Sequence, residues 1–374
     1  MPRPTDPYED DDFDDLPPNP AVHYAEQSLL GALLLEPHRL ADIGPLQADH
    51  FSNHTQGALL SAMRSVPPPD PEAHRTEVAW LNTVMEAARP EAPGLTASYL
   101  HTLIQVCPRP QHAPAYARMI RADHARRMLR MHAERLAWTA TDATLPDPAA
   151  ATLAQADVLG RLLEDLSGQF APHPGSLPRT PLPAAPPRDS GEEAVDEERL
   201  LLATATAHPA ELKTMRWLQA EDFALPLHGA LWQCLTSLVH RGDPVDPITV
   251  LWEAQHRGLL ADGITPDDLM TLVSTPVGSP EYWGEKVLQR ALLARARTVA
   301  ARITAYTEDP ANTPHQLITG SRRALADLTA LRTRWTHATA PAPAAKPRQT
   351  GAAATPPRAG PPRTAAPSAA RVSR

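Results

Sequence analysis

A stretch of 41 residues, Glu26 to Val66, recurs from Glu198 to Leu238 at a constant offset of 172 residues and without a gap. Thirteen of the 41 pairs are identical: Glu26/Glu198, Leu29/Leu201, Leu30/Leu202, Pro37/Pro209, Leu40/Leu212, Leu46/Leu218, Gln47/Gln219, Ala48/Ala220, Phe51/Phe223, Gly57/Gly229, Ala58/Ala230, Leu59/Leu231 and Ser65/Ser237. Most are apolar residues at helical spacing, or the Gly and Pro that punctuate helices. A fold has been duplicated, with no repeated set of reactive groups. A repeat of this length is a whole domain, so the chain holds two copies of one helical domain rather than a solenoid of short units.

The 374 residues accommodate two such domains plus tails. Aromatic residues make up only 5% of the chain, so the cores are built from Leu, Ala, Val and Met, as is usual in all-α proteins. The 43 prolines predict long non-helical connectors beside compact regions. Cys107 and Cys234 stand in unrelated contexts without metal-ligand spacing, and they read as core thiols in a reducing cytoplasm. No apolar run approaches the roughly 20 residues that span a bilayer. The acidic N-terminus is unlike a signal peptide, so the expected location is cytoplasmic. A net charge of −8 argues against a chain whose main business is neutralising phosphates.

Five segments follow. Residues 1–18 carry Asp6, Glu9, Asp10, Asp11, Asp12, Asp14 and Asp15 against Arg3, which predicts a disordered acidic tail that solubilises or docks on a basic partner. Residues 19–170 are copy 1, 171–193 a Pro-rich, extended and semi-rigid linker, and 194–336 copy 2. Residues 337–374 form a basic Pro/Ala-rich tail, also expected to be disordered, either a solvated extension or a transient contact for nucleic acid or the acidic tail. Helix starts are marked by a capping side chain followed by Pro at Asn19-Pro20, Asp147-Pro148, Asp246-Pro247, Thr265-Pro266, Ser279-Pro280 and Thr313-Pro314.

In copy 1 the pattern predicts helices over 20–35, 38–44, 55–66, 72–88 and 96–106. A long helical hairpin follows, turning near 145–148 and ending near Phe170. Copy 2 repeats the plan with helices over 195–207, 211–218, 227–240, 246–258 and 265–274. Its hairpin runs from Ser279 to Tyr306 and from Thr313 to Trp335. The first long helix carries Arg118, Arg121, Arg126, Arg127, Arg130 and Arg135, interrupted by Asp123 and Glu134, which reads as a solvated face.

No Gly-Lys dipeptide occurs, so the phosphate-cradling GxxxxGK[ST] loop is missing, and GxGxxG, HExxH and GxSxG are missing too. The expectation is a chain without enzyme activity or cofactor. His50 and His54 are four apart beside Phe51, but their counterparts are Asp222 and Pro226, so surface histidines are expected rather than a metal pair.

Glu26-Gln27-Ser28-Leu29-Leu30-Gly31-Ala32-Leu33-Leu34-Leu35 with Pro37, and Leu46-Gln47-Ala48-Asp49-His50-Phe51, resemble the N-terminal domain of the DnaB family of replicative helicases. The second copy resembles its later part at Asp222-Phe223, His228, Arg241-Gly242-Asp243-Pro244-Val245-Asp246, Arg257-Gly258-Leu259-Leu260 and Glu281-Tyr282-Trp283-Gly284-Glu285-Lys286-Val287. The first copy departs at Gln56, where the second has His228, and at Pro67-Pro68-Pro69.

The resemblance implies an all-α fold in which each copy is a small bundle followed by an antiparallel hairpin. It also implies a collar-type module that binds replicative helicase or primase, without the RecA-like ATPase domain. It suggests an intramolecular pseudo-dimer of the two hairpins, or a homo-oligomer. Candidate contact residues are Arg118, Arg121, Tyr282 and Trp283, the last two also fitting core positions. Two alternatives stand beside this: a nucleic-acid-binding regulator using the hairpin arginines and basic tail, and a self-assembling protein without a replication role.

Overall fold

The computed structural model describes residues 19–170, 176–184, 191–260 and 264–340. The acidic tail, both ends of the linker and most of the basic tail lie outside the described residues. The chain forms one compact unit through Ala338 and a separate segment from Thr339. No strand occurs among the described residues.

Copy 1 opens with α1 (Ala21–Leu35), followed by 3₁₀ turns at Pro37–Ala41 and Ala48–His50. Next come α2 (His54–Ser65), α3 (Pro71–Thr76), α4 (Ala79–Ala88) and α5 (Ala97–Val106), then the hairpin α6 (Ala113–Thr139) and α7 (Pro148–Gln169). Copy 2 repeats this with α8 (Glu192–Ala207), 3₁₀ turns at Glu211–Lys213 and Ala220–Asp222, α9 (Pro226–Arg241), α10 (Pro247–His256) and α11 (Pro266–Leu272). Its hairpin is α12 (Pro280–Glu308) and α13 (Pro314–Ala338).

Five of the six cap-and-proline marks behave as expected. Asp147 accepts from Ala150 N, Asp246 from Ile248 N and Thr249 N, Thr265 from Asp268 N, Ser279 from Tyr282 N and Thr313 from Gln316 N. Asn19 is the exception, because α1 starts one residue later with Pro20 as its uncapped boundary.

The helix expected over 72–88 is broken at Glu77, which is extended. His74 and Trp80, six apart, would lie on different faces of one continuous helix. The break lets the His74 ring meet the Trp80 ring at 5.5 Å while its Nε2 reaches Leu34 O at 2.8 Å. The helix expected over 38–44 is only a 3₁₀ turn, and the 3₁₀ turn at 48–50 carried no helical periodicity to find.

The repeated glycines and alanines mark one close approach. A Cβ at Gly57 would collide with Ala48 O, and one at Gly229 with Ala220 O, so in both copies the small residue lets the second long helix sit directly on the preceding 3₁₀ turn. Gly31 does the same for α1 against α5, where a Cβ would strike Leu103 O. Around these contacts Leu29, Leu30, Leu33, Leu59, Leu60 and Met63 form a core closed to solvent. Each such side chain contributes about 2–3 kcal/mol on burial. In copy 2 Trp232 stands where Leu60 does, and its Nε1 donates to Leu218 O.

The four hairpin helices form a bundle whose core is continuous with the core of the second head. Leu129, Leu136, Leu159, Leu163, Leu292 and Ile303 are buried there among alanines such as Ala133, Ala156, Ala296 and Ala324, which let the helices approach closely. The order of the contacts gives the direction. Arg126, near the middle of α6, meets the C-terminal end of α12 at Thr307 O, and the α6 residues that follow it, Leu129, Ala133 and Leu136, line the core shared with α12, so α6 and α12 run antiparallel. Asp157 pairs with Arg332, whereas Ser167, farther along α7, pairs with Arg322, farther back on α13. The first half of α6, with Ala113, Ala117 and Ile120, is built into the first head. Near the start of α12, Arg290 bonds to Ala194 O and Glu197 of the second head. The two heads therefore lie at opposite ends of the bundle.

Candidate protein-interaction site

Three local devices position the surfaces that a partner could meet. The first is the repeated buried carboxylate. Glu26 accepts from Ser52 N at 2.5 Å and Ser52 Oγ at 2.7 Å, and so closes the loop ahead of α2. Glu198 accepts from Ala224 N and Leu225 N and faces His228 Nδ1 at 2.7 Å, closing the loop ahead of α9. Asn53 caps α2 with its own side chain, whereas α9 begins Leu225-Pro226 and has no side-chain cap. His228 is the added partner that Gln56 does not supply; Gln56 turns instead to the Tyr99 hydroxyl.

The second is the aromatic pair that opens α12. Trp283 packs on the core, and its Nε1 donates to Val277 O at 2.6 Å, so it anchors the helix start. Tyr282, set edge-on to it at 4.9 Å, remains 52% exposed. One of the two candidates is thus mostly structural and the other is presented to solvent. Copy 2 also exposes Ile248 and Trp252, one turn apart on α10, which sequence reasoning missed because four apart is equally the spacing of a buried face.

The third is the arginine row of α6, where the solvated-face reading needs correction. Arg118 is exposed, with no bond to any described residue. Arg121 is half-buried, its guanidinium near Gly44 and its Nε without a partner. Arg127 donates to His50 O at 2.7 Å and to Asp123.

Arg126 is the largest departure from expectation. It reaches across from copy 1 to the end of α12 and donates to Thr307 O, Asp309 O and Asn312 O at 2.9, 2.7 and 2.6 Å. Thr307 O is one of the carbonyls that a helix C-terminus leaves unpaired, Asp309 O and Asn312 O belong to the turn between α12 and α13, and the cation also meets the negative end of the helix dipole. Arg130 adds an exposed bridge to Glu308. Such a role was invisible in the sequence because its partners are backbone atoms more than 180 residues away.

The same corner holds the middle of the linker. Thr180 donates to Asp309 and accepts from Asn312, and Pro178 packs on Gly320.

His50 is not a surface histidine. Its ring lies 4.4 Å from that of His124, while His54 is exposed. Burial lowers the pKa of both His50 and His124, and Arg127 lowers each further. No group of side chains able to hold a metal ion occurs among the described residues.

The DnaB-like helicase N terminal domain model matches residues 18–122 and 191–284, more than half of the chain and once in each copy. The chain belongs to this family. The replicative DNA helicase DnaB of Mycobacterium leprae (strain TN) is 32% identical over 124 residues, which cover 32% of this chain and 20% of that helicase. The chain thus spans about a fifth of the length of this relative. No solved structure matches it.

The split match places the DnaB-type domain twice in one chain, and the first match ends at Ala122, inside α6. Most of α6 and all of α7, α12 beyond Gly284 and α13 lie outside the two matches, yet these helices carry the contact between the copies. No described helix is long and apolar enough to cross a membrane.

Proposed function

We propose that this chain is a non-catalytic interaction module of DNA replication, which docks on a replicative helicase or on primase as a preformed pair of DnaB-type collar domains. The observation that carries the reading is the duplication itself. Two such domains sit in one chain with their hairpins buried against each other, so the pairing surface is satisfied internally. Arg118 at the first head and Tyr282, Ile248 and Trp252 at the second are among the side chains left exposed, and Ile248 and Trp252, one turn apart on α10, form an exposed apolar pair that favours a contact surface there. The nucleic-acid reading is weaker. Arg126 and Arg127 are committed to backbone carbonyls within the chain, and Arg130 faces Glu134 and Glu308, so half of the α6 row has partners other than phosphate.

The test is co-elution on a sizing column with light-scattering detection, mixing the full chain with the replicative helicase and then the primase of the same cell. The module reading expects a heavier complex with one of them, weakened at least tenfold by Y282A or R118A. Unchanged masses in both mixtures would overturn it.

A further inference from the structure

The two copies differ at two matched pairs that bear on a groove of the second. In copy 1, Arg64 near the end of α2 donates to Gly44 O at 3.0 Å and ties that helix to the loop before the second 3₁₀ turn. The corresponding residues of copy 2 are Thr236 and Arg216. Both line a groove of about 1040 Å³ between α9 and the segment 212–221. Met215, Leu218 and Trp232 contribute its apolar lining, and Lys213 and Arg216 stand exposed at its edge with no carboxylate partner among the described residues. Arg241 is also there, but Asp243 and Glu253 already hold it. Glu221 is the one acidic residue in the lining, so the unpaired charge is positive.

An acidic peptide bearing an aromatic side chain complements such a groove, and the chain carries one. Between Asp6 and Leu16, seven carboxylates surround Tyr8 and Phe13. This segment lies outside the described residues. It joins the first head at Asn19, whereas the groove is on the second head. Along α12 alone, Arg290 beside the second head and Glu308 beside Arg126 are separated by about 27 Å at 1.5 Å per residue. From Asn19 the chain spans at most about 14 Å back to Asp15 and about 45 Å back to Asp6. A chain can therefore bring only the far end of the acidic run to its own groove, whereas another copy can present the whole of it.

We propose that the groove on the second head takes the Asp6–Leu16 segment of another copy of this chain. Donor and acceptor lie at opposite ends of the molecule, so the contact is heterologous and its repetition gives open head-to-tail chains rather than a closed dimer. Being electrostatic at its rim, it weakens with salt. The inference does not rest on the replication reading.

The chain has three lysines, Lys213, Lys286 and Lys346, which makes carbodiimide coupling of lysine to carboxylate easy to read. Isotopically light and heavy full-length chains are mixed at low salt, coupled, digested and analysed by mass spectrometry. The expected result is heavy-to-light links between Lys213 and the peptide containing Glu9 to Asp15. These links should fall about tenfold in R216E, at an unchanged melting temperature, and about as much when salt shortens the Debye length to a few Å. Links from that peptide to Lys286 or Lys346 instead, links from Lys213 only within one chain, or an R216E variant that couples like the parent would each overturn the proposal.

Discussion

At the scale of single residues, the repeat identifies side chains that hold the same loop twice by different chemistry. Glu198 is fully buried and faces His228 and two backbone N–H groups, while Glu26 is equally buried but bonds only to Ser52. Removing one partner of a buried pair leaves the rest uncompensated, so E198A should cost about 3–5 kcal/mol. E26A should cost about 1–3 kcal/mol. Urea unfolding checks the order, and equal losses would show that His228 adds nothing.

His50 and His124 set a pH dependence. Burial, with Arg127 beside both rings, holds their pKa below the ordinary 6.5, so the folded chain binds fewer protons than the unfolded one. Their contribution is full above about pH 6.5 and is lost as pH falls through the lowered folded values. Melting temperature should therefore drop on acidification from pH ~6.5, and H124Q should flatten that slope. The identity of Glu26 with Glu198 was legible in the repeat. Its purpose was not, because backbone N–H partners leave no mark in a sequence.

At the scale of elements, the capping marks located five helix starts because a cap and its proline act within one turn. The α3/α4 break escaped because it serves a distant contact, with His74 and Trp80 sharing one surface of the first head. Arg126 shows the same limit more sharply. A charged row on a long helix is ordinarily solvated, and only the position of α12 turns Arg126 into a cap for another helix. R126A should destabilise the chain by about 2–3 kcal/mol, since three carbonyls lose a charged donor. R130A, which breaks exposed, solvent-screened bridges to Glu134 and Glu308, should leave stability nearly unchanged. Denaturant midpoints of the two variants measure the difference. G229A should behave like a core defect of about 1–3 kcal/mol, since its methyl has only Ala220 O to enter.

At the scale of the whole molecule, the duplication puts two copies of one domain in a single chain, and their hairpins share one core. Two apolar hairpin stripes were readable from periodicity, and the length of the linker allowed them to meet. Which stripe faces which, and that the second head shares its core with the bundle while the first keeps its own, depends on packing that no local pattern encodes. The account rests on the two copies being held by their own interface rather than by the covalent link. A protease site placed within residues 185–190, cut in the folded protein at moderate salt, tests this directly. The account predicts that the nicked halves elute together at the 40.5 kDa mass of the intact chain, and separate more readily when R126A is present. Halves that elute apart as independent monomers at micromolar concentration would contradict it.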